Sequence, residues 1–206
     1  DDVFSFVLDG ALKPGFRAGQ YGHVVAPGAI RDNHHVRHMS FANAPHEKRI
    51  IISMDVGSKS RFKRKFAKAA VGDGVKIFAV KGDFVFETQD HPQSVLLIAG
   101  GIGIVPIRAL ISDFEYSGKH DWSLVYAGRD YLYRDFWTQF GDRVSLTGRK
   151  RLFEDLRAAL MRAPQGCAVY LCGSDDFIAN VRVFLERNGG SPTQIHVENF
   201  DHQGPS

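Results

Sequence analysis

The sequence predicts two joined architectures, a small antiparallel β barrel followed by a five-stranded, doubly wound parallel α/β sheet. Three observations carry that reading. The first half is built of short β-rich segments, the second alternates apolar strand runs with helices, and a glycine-rich turn opens a helix directly after the first of those runs. At 206 residues the chain has room for one large domain or two small ones. Its 44% hydrophobic and 24% charged residues supply a core and exclude extended disorder.

The barrel is expected over residues 1–90, with strands Val3 to Leu8, Gly22 to Val25, His38 to Phe41, Arg49 to Met54, Val75 to Phe78 and Phe84 to Phe86. A basic segment, Ser60 to Ala70, interrupts them and carries Phe62 and Phe66 at helical spacing. Thr88 to Gln93 is the linker candidate, and residues 91–206 change grammar. Ser94 to Ala99 is a continuous apolar run of the kind buried on both faces in a parallel sheet. A helix follows from about Val105 to Tyr116, then a strand Ser123 to Ala127, a helix near Leu132 to Phe140 and a strand Arg143 to Leu146. A helix Leu152 to Arg162, a strand Val169 to Cys172, a helix Asp175 to Asn188 and a strand Ile195 to Glu198 complete the pattern. The helix from Asp175 is well marked: Ser174 can cap it, Asp175 and Asp176 suit the positive end of its dipole, and Gly189-Gly190 stop it.

Composition excludes several classes. The longest apolar run, Val95 to Gly101, is too short to cross a bilayer. The opening Asp1-Asp2 lacks the basic region of a signal peptide, so a soluble, cytoplasmic chain is expected. A formal charge of +3 is too small to argue for nucleic acid. Cys167 and Cys172 cannot form a disulfide scaffold or a four-cysteine metal site. On one strand they lie about 16 Å apart, where a bridge needs less than about 7 Å. Both are therefore expected as reduced thiols.

The most informative segment is Ala99-Gly-Gly-Ile-Gly-Ile-Val-Pro106, because a glycine turn between a buried strand and a helix lets backbone N–H groups approach a pyrophosphate. Gly101 and Gly103 supply the space, and Pro106 loses only an amide that the first helical turn leaves unpaired. After the next strand stands Gly128-Arg129, where a site for a ribose 2′-hydroxyl shows a carboxylate; an arginine suits a 2′-phosphate and favours NADP. In the first half, Arg37-His38-Met39-Ser40 combines a guanidinium able to fork onto phosphate with a hydroxyl able to meet a ring nitrogen. Gly57-Ser58-Lys59-Ser60 precedes the basic segment and forms a second phosphate cradle at a helix start. His34, His35, His38 and His46 lack supporting carboxylates or cysteines and read as surface histidines, with no metal expected. Lys59, Arg61, Lys63, Arg64, Lys65 and Lys68 read as a solvated helix face first, and next as a docking surface for an acidic protein.

In this order the motifs resemble the ferredoxin–NADP reductase family over nearly the whole chain. Ala18-Gly-Gln-Tyr21 and Arg37-His-Met-Ser40 are similar to its barrel signature, Gly57-Ser-Lys-Ser60 to its pyrophosphate-binding Gly-x-x-Ser, and Gly101-Ile-Gly-Ile-Val-Pro106 to its Gly-x-Gly-x-x-Pro. Cys172-Gly173 resembles its Cys-Gly, and Glu198-Asn-Phe200 the ending of its bacterial members. Met39 departs from the pattern by standing where the family usually has an aromatic residue, and six residues follow Phe200. The resemblance implies an FAD-binding barrel, an NADP-binding α/β domain and hydride transfer from NADPH to FAD. Single electrons would then pass to an acidic carrier protein such as ferredoxin or flavodoxin. It implies Ser40, Cys172 and Glu198 as catalytic residues. Arg37, His38, Met39, Ser40, Gly57, Ser58, Lys59, Ser60 and Phe200 would face the flavin nucleotide, and Gly101, Gly103, Pro106, Arg129, Cys172 and Gly173 the NADPH. A reductase of free flavin, ferric complexes or an oxygenase component is the enzymatic alternative, and a non-catalytic binding subunit the other.

Overall fold

The computed structural model describes residues 3–10, 16–29, 34–57, 60–86, 94–188 and 195–199. In the first half, β1 (Val3–Leu8) pairs antiparallel with β4 (Ile50–Asp55), and β2 (Tyr21–Val25) lies between β3 (Val36–Ser40) and β5 (Lys76–Lys81). The two sheets share one core of Val24, Phe41, Ile50, Ile52 and Met54. Helix α1 (Arg61–Ala67) closes that core with Phe62 and Phe66, the pair its spacing placed on one face.

Phe84 to Phe86, expected as a strand, is a buried connector instead. Its three consecutive side chains are all buried, where a strand with one wet face would alternate. Its carbonyls are taken by side chains from elsewhere: the Tyr170 hydroxyl donates to Val85 at 3.1 Å and the Arg17 guanidinium to Phe86 at 2.7 Å. Packing against the second half, which local pattern cannot reveal, decides its shape.

The second half is an all-parallel sheet of β6 (Ser94–Gly100), β7 (Asp121–Ala127), β8 (Val144–Thr147), β9 (Ala168–Gly173) and β10 (Ile195–Asn199), in the order β10-β9-β6-β7-β8. The apolar run of β6 divides between two cores. Val95, Leu97 and Ala99 pack with α2 (Ile104–Ser117) and with Trp137 of α3 (Arg134–Thr138); Leu96 and Ile98 pack with α4 (Leu152–Arg162) and α5 (Asp175–Arg187). Helices therefore cover both faces. The Ser174 hydroxyl accepts the Phe177 N–H and caps α5 as expected. Helix α3 is shorter than the expected Leu132 to Phe140, because Tyr133 takes a left-handed conformation (φ 58°) and a 3-10 turn, Gly141–Arg143, follows.

The halves meet along α2. Val105 packs with Ala42 and Ile51, while Ala18, Ala44, Phe84 and Phe86 join the core under α2. Arg108 then ties the seam. Its guanidinium donates to the Ala42 carbonyl at 2.6 Å and to both Glu47 carboxylate oxygens at 3.0 and 3.1 Å, and lies 4.4 Å from the centre of the Phe136 ring. That pairing outweighs the cost of burial and holds the Glu47 carboxyl below its usual range. Among the described residues no helix is long and apolar enough to cross a membrane.

Candidate functional site

The strand order reverses between β6 and β9, so the chain leaves their carboxyl ends in opposite directions and opens a crevice above them. The glycine-rich turn sits there. Gly101 takes a left-handed conformation (φ 55°), and the 3-10 turn Gly101–Gly103 runs into α2 with Pro106 buried in its first turn. Gly103 fits for a different reason: a Cβ there would stand 2.3 Å from the Cys172 carbonyl oxygen. The turn and Cys172-Gly173 are thus in backbone contact. Phe177, from the first turn of α5, lies over both, its ring 2.7 Å from where a Gly100 Cβ would be and 2.6 Å from where a Gly173 Cβ would be.

Glu198 lies beside Cys172 across the β9–β10 ladder. The Cys172 thiol is fully buried and pushed well up, by burial first and the Glu198 charge second, so it stays a neutral thiol. Burial, and then Asp83, push Glu198 up to about 7. A cavity of about 560 Å³ separates β10 from the β2–β3 hairpin, lined by Tyr21, His38, Asp83, Phe84, His196 and Glu198 among others. His38 stacks on His23 at 4.1 Å. Burial, then His23 and Lys81, pull its imidazole down, leaving it predominantly neutral at pH 7.

Within the Arg37 to Ser40 quartet the ladder separates two faces. Ser40 lies opposite Tyr21 and His38 opposite His23, on the cavity side. Met39 is on the other face, against the core of the first half, and Arg37 lies opposite Val24 with its guanidinium donating to the Val36 carbonyl at 2.6 Å. Ser40 is 3% exposed and its hydroxyl has no hydrogen-bond partner. A buried hydroxyl in that state fits a ligand group that reaches it. At the far end of the hairpin a second cleft, about 470 Å³, lies between Pro27, Gly28 and His35 on one side and Arg61, Arg64 and Lys65 of α1, with Lys68 just after it, on the other. Gly57 donates its N–H to the Asp55 carboxylate at 2.8 Å, and Ser60 directly precedes α1. Ser58, Lys59 and Phe200 lie outside the described residues.

Arg129 is exposed just beyond β7, and the Gly128 N–H beside it donates to the carbonyl of Thr147, so Arg149 and Lys150 after β8 emerge on the same edge. This edge is across β6 from the Glu198 cavity, a separation suited to a long, two-ended ligand. Among the described residues no group of three or more His, Cys, Asp or Glu side chains could hold a metal. His46 stacks on Tyr116 at 4.2 Å in the seam, away from the hairpin histidines. Asp83, His196, Phe177 and Arg108 went unmarked in the sequence, since each gains its place only through strand order or the meeting of the halves.

No protein-family model matches the chain. Among curated proteins it is 30% identical over 213 residues to the phenoxybenzoate dioxygenase subunit beta of Ectopseudomonas oleovorans, covering 97% of this chain and 63% of that protein. Among solved structures it superposes on phthalate dioxygenase reductase, described as a modular structure for electron transfer from pyridine nucleotides to 2Fe-2S. The TM-score is 0.80 at 25% identity, over 96% of this chain and 63% of the other. The chain is thus similar to ferredoxin–NADP reductase-like proteins and has their fold. The fold is shared as well with the ferredoxin NADP+ reductase of Neisseria gonorrhoeae, solved with FAD and NADP. There the TM-score is 0.76 at 16% identity, over 96% of this chain and 92% of that one. The chain spans about three fifths of the length of the curated relatives it matches.

Proposed function

We propose that the chain is a flavin-dependent oxidoreductase that binds FAD along β3 and NADPH over the carboxyl ends of β6 and β9, and passes electrons singly to a carrier protein. One observation carries this reading: one cavity is lined by Tyr21 and His38, on the hairpin face that also bears the orphaned Ser40 hydroxyl, and by Glu198, which the ladder sets beside Cys172 and so next to the turn at Gly103. Bound there, a flavin supplies the exchange between the two-electron chemistry of nicotinamide and one-electron carriers.

The protein's part is to bind and orient. Strand β3 is the edge of its sheet, so groups from both its faces can flank an extended ligand. Ser40 offers its hydroxyl to the flavin ring at one end, with His38 beside it. Arg37, Gly57, Ser60 and the basic cleft offer positive charge and N–H groups to the phosphates at the other, with Ser58 and Lys59 assigned by the motif alone. A second phosphate site favours FAD over FMN. Gly101 and Gly103 let the backbone approach the NADPH pyrophosphate, Pro106 starts α2 without a wasted amide, and Gly173 keeps the crevice open. Cys172, fully buried and held neutral, backs the nicotinamide site from behind and is not a nucleophile. Residues 1–90 then serve the flavin and 91–206 the nucleotide. Two free thiols suit the cytoplasm. The electron-transfer role named for phthalate dioxygenase reductase supports an iron–sulfur carrier as partner.

The purified protein should be yellow, bleach with NADPH and release FAD on heating. A colourless protein that takes up no flavin would identify a non-catalytic binding subunit. Arg129→Ala should raise the NADPH KM about tenfold or more, since a charge-assisted bond to phosphate contributes roughly 1.5–3 kcal/mol, while NADH is left nearly unchanged. Equal weakening of both cofactors removes the NADP assignment and leaves the rest standing.

A further inference from the structure

The cavity between β2–β3 and β10 holds two carboxylates where the family pattern accounts for one. Asp83, in the turn after β5, and Glu198, on β10, line the same space from the two halves, together with Tyr21, His38 and His196. Ring faces wall it: Tyr21 lies against His38 at 5.3 Å, and His196 stacks on Tyr170 at 4.4 Å. Facing carboxylates and aromatic faces suit a flat cationic ring. We propose that Asp83 is a further binding residue of this site, and that with Glu198 it makes the cavity select the cationic, oxidised nicotinamide ring over the neutral, reduced one. The inference rests on the nicotinamide reading above and adds to it a residue and a charge preference.

The groups facing Glu198 are Asp83 from the turn, Tyr21 from β2, His38 from β3, Cys172 from β9 and His196 on its own strand, with Lys81 near His38. Burial and the two carboxylates raise the Tyr21 phenol, so it remains protonated. Glu198 is charged above about pH 7 and neutral below it. The preference for a cation is therefore strongest on the alkaline side and fades as pH falls through 7.

The test uses flavin-loaded protein titrated with NADP+ and with its non-reducing 1,4,5,6-tetrahydro analogue at pH 8 and pH 6, the NAD+ pair run alongside, and follows the flavin absorbance. At pH 8 the wild type should bind the oxidised form more tightly. Asp83→Asn should weaken that form about three- to fivefold, the size of one exposed charge pair, and leave the tetrahydro form unchanged. The pH at which the preference fades should move down in Asp83→Asn, because Glu198 loses a neighbour that raises it, and Glu198→Gln should remove the pH dependence. Asp83→Glu should retain the preference. Equal weakening of both forms, or of neither, overturns the inference while binding itself upholds the nicotinamide reading. Failure of both forms to bind overturns the two together.

Discussion

The two halves contribute to the crevice in different currencies. In the parallel half β6 is buried on both faces from Val95 to Ala99, so its side chains are committed to the cores. What it offers at the carboxyl end is backbone: N–H groups of the turn Gly101–Gly103, and space where Gly103 meets Cys172. The antiparallel hairpin has a second face that the core does not use, and on it stand Tyr21, His23, His38 and Ser40. A sheet covered on both sides binds through its ends, and a sheet covered on one side can bind through its side chains. Glu198 is the exception that joins them, an ionisable side chain on the outermost parallel strand, which pairs with β9 alone among the described strands.

Breaking the seam should have the largest effect. Arg108→Ala removes one partner of a nearly buried pair, whose side chains are 11% and 13% exposed, and leaves the Glu47 carboxylate facing the seam. Such losses run to about 3 kcal/mol or more. Urea unfolding followed by Trp fluorescence should show it, since both tryptophans, Trp122 and Trp137, report on the parallel half. A loss below about 1 kcal/mol would mean that apolar packing alone holds the halves together.

The parallel half is sharpened by two glycine replacements. Gly103→Ala puts a Cβ against the Cys172 backbone and should cost about 1–3 kcal/mol as overpacking, with dinucleotide binding lost as the two turns separate. Gly101→Ala meets nothing in space and should cost about 1–2 kcal/mol for its left-handed conformation alone. If the two variants bind nucleotide equally well, close contact between the turns is not what shapes the site.

The antiparallel half makes the opposite prediction. Ser40→Ala deletes a buried hydroxyl that has no partner, so the flavin-free protein should keep or slightly gain stability while flavin affinity falls by roughly 0.5–1.5 kcal/mol. Thermal melts with and without FAD separate the two effects. A less stable flavin-free variant would show that the hydroxyl serves the fold.

The smallest expected effect is that of Glu198→Gln on stability. Its folded-state pKa, about 7, lies above the ordinary 4.5, so protonation favours the fold. The contribution is full below pH 4.5 and lost as pH rises through 7. The glutamine variant should therefore melt higher than wild type at pH 8, and the gap should vanish toward pH 4. A constant gap across that range would assign the effect to packing.

Local chemistry was enough to read most elements and one wall of the site. The buried run Ser94 to Ala99, the glycine turn with Pro106 and the Ser174 cap each combine residues adjacent in sequence, and each adopts the predicted form. Cys172 and Glu198 were marked by motif, and the ladder does set them side by side. Asp83 carried no such mark, because an acid beside a glycine after a strand is an ordinary turn until another half of the molecule faces it.

By itself, then, the sequence determined the two grammars, the order of strands and helices, and the backbone groups at the carboxyl ends of the parallel sheet, all set by spacing and turn chemistry over a few residues. Tertiary structure decided the rest. It made Phe84 to Phe86 a connector by offering Tyr170 and Arg17 to its carbonyls, turned Met39 into the core and His38 toward the cavity, and clamped Arg108 across the seam. Each of these outcomes depends on burial and hydrogen bonds between residues far apart in the chain, and such partners have no fixed spacing for a pattern to detect.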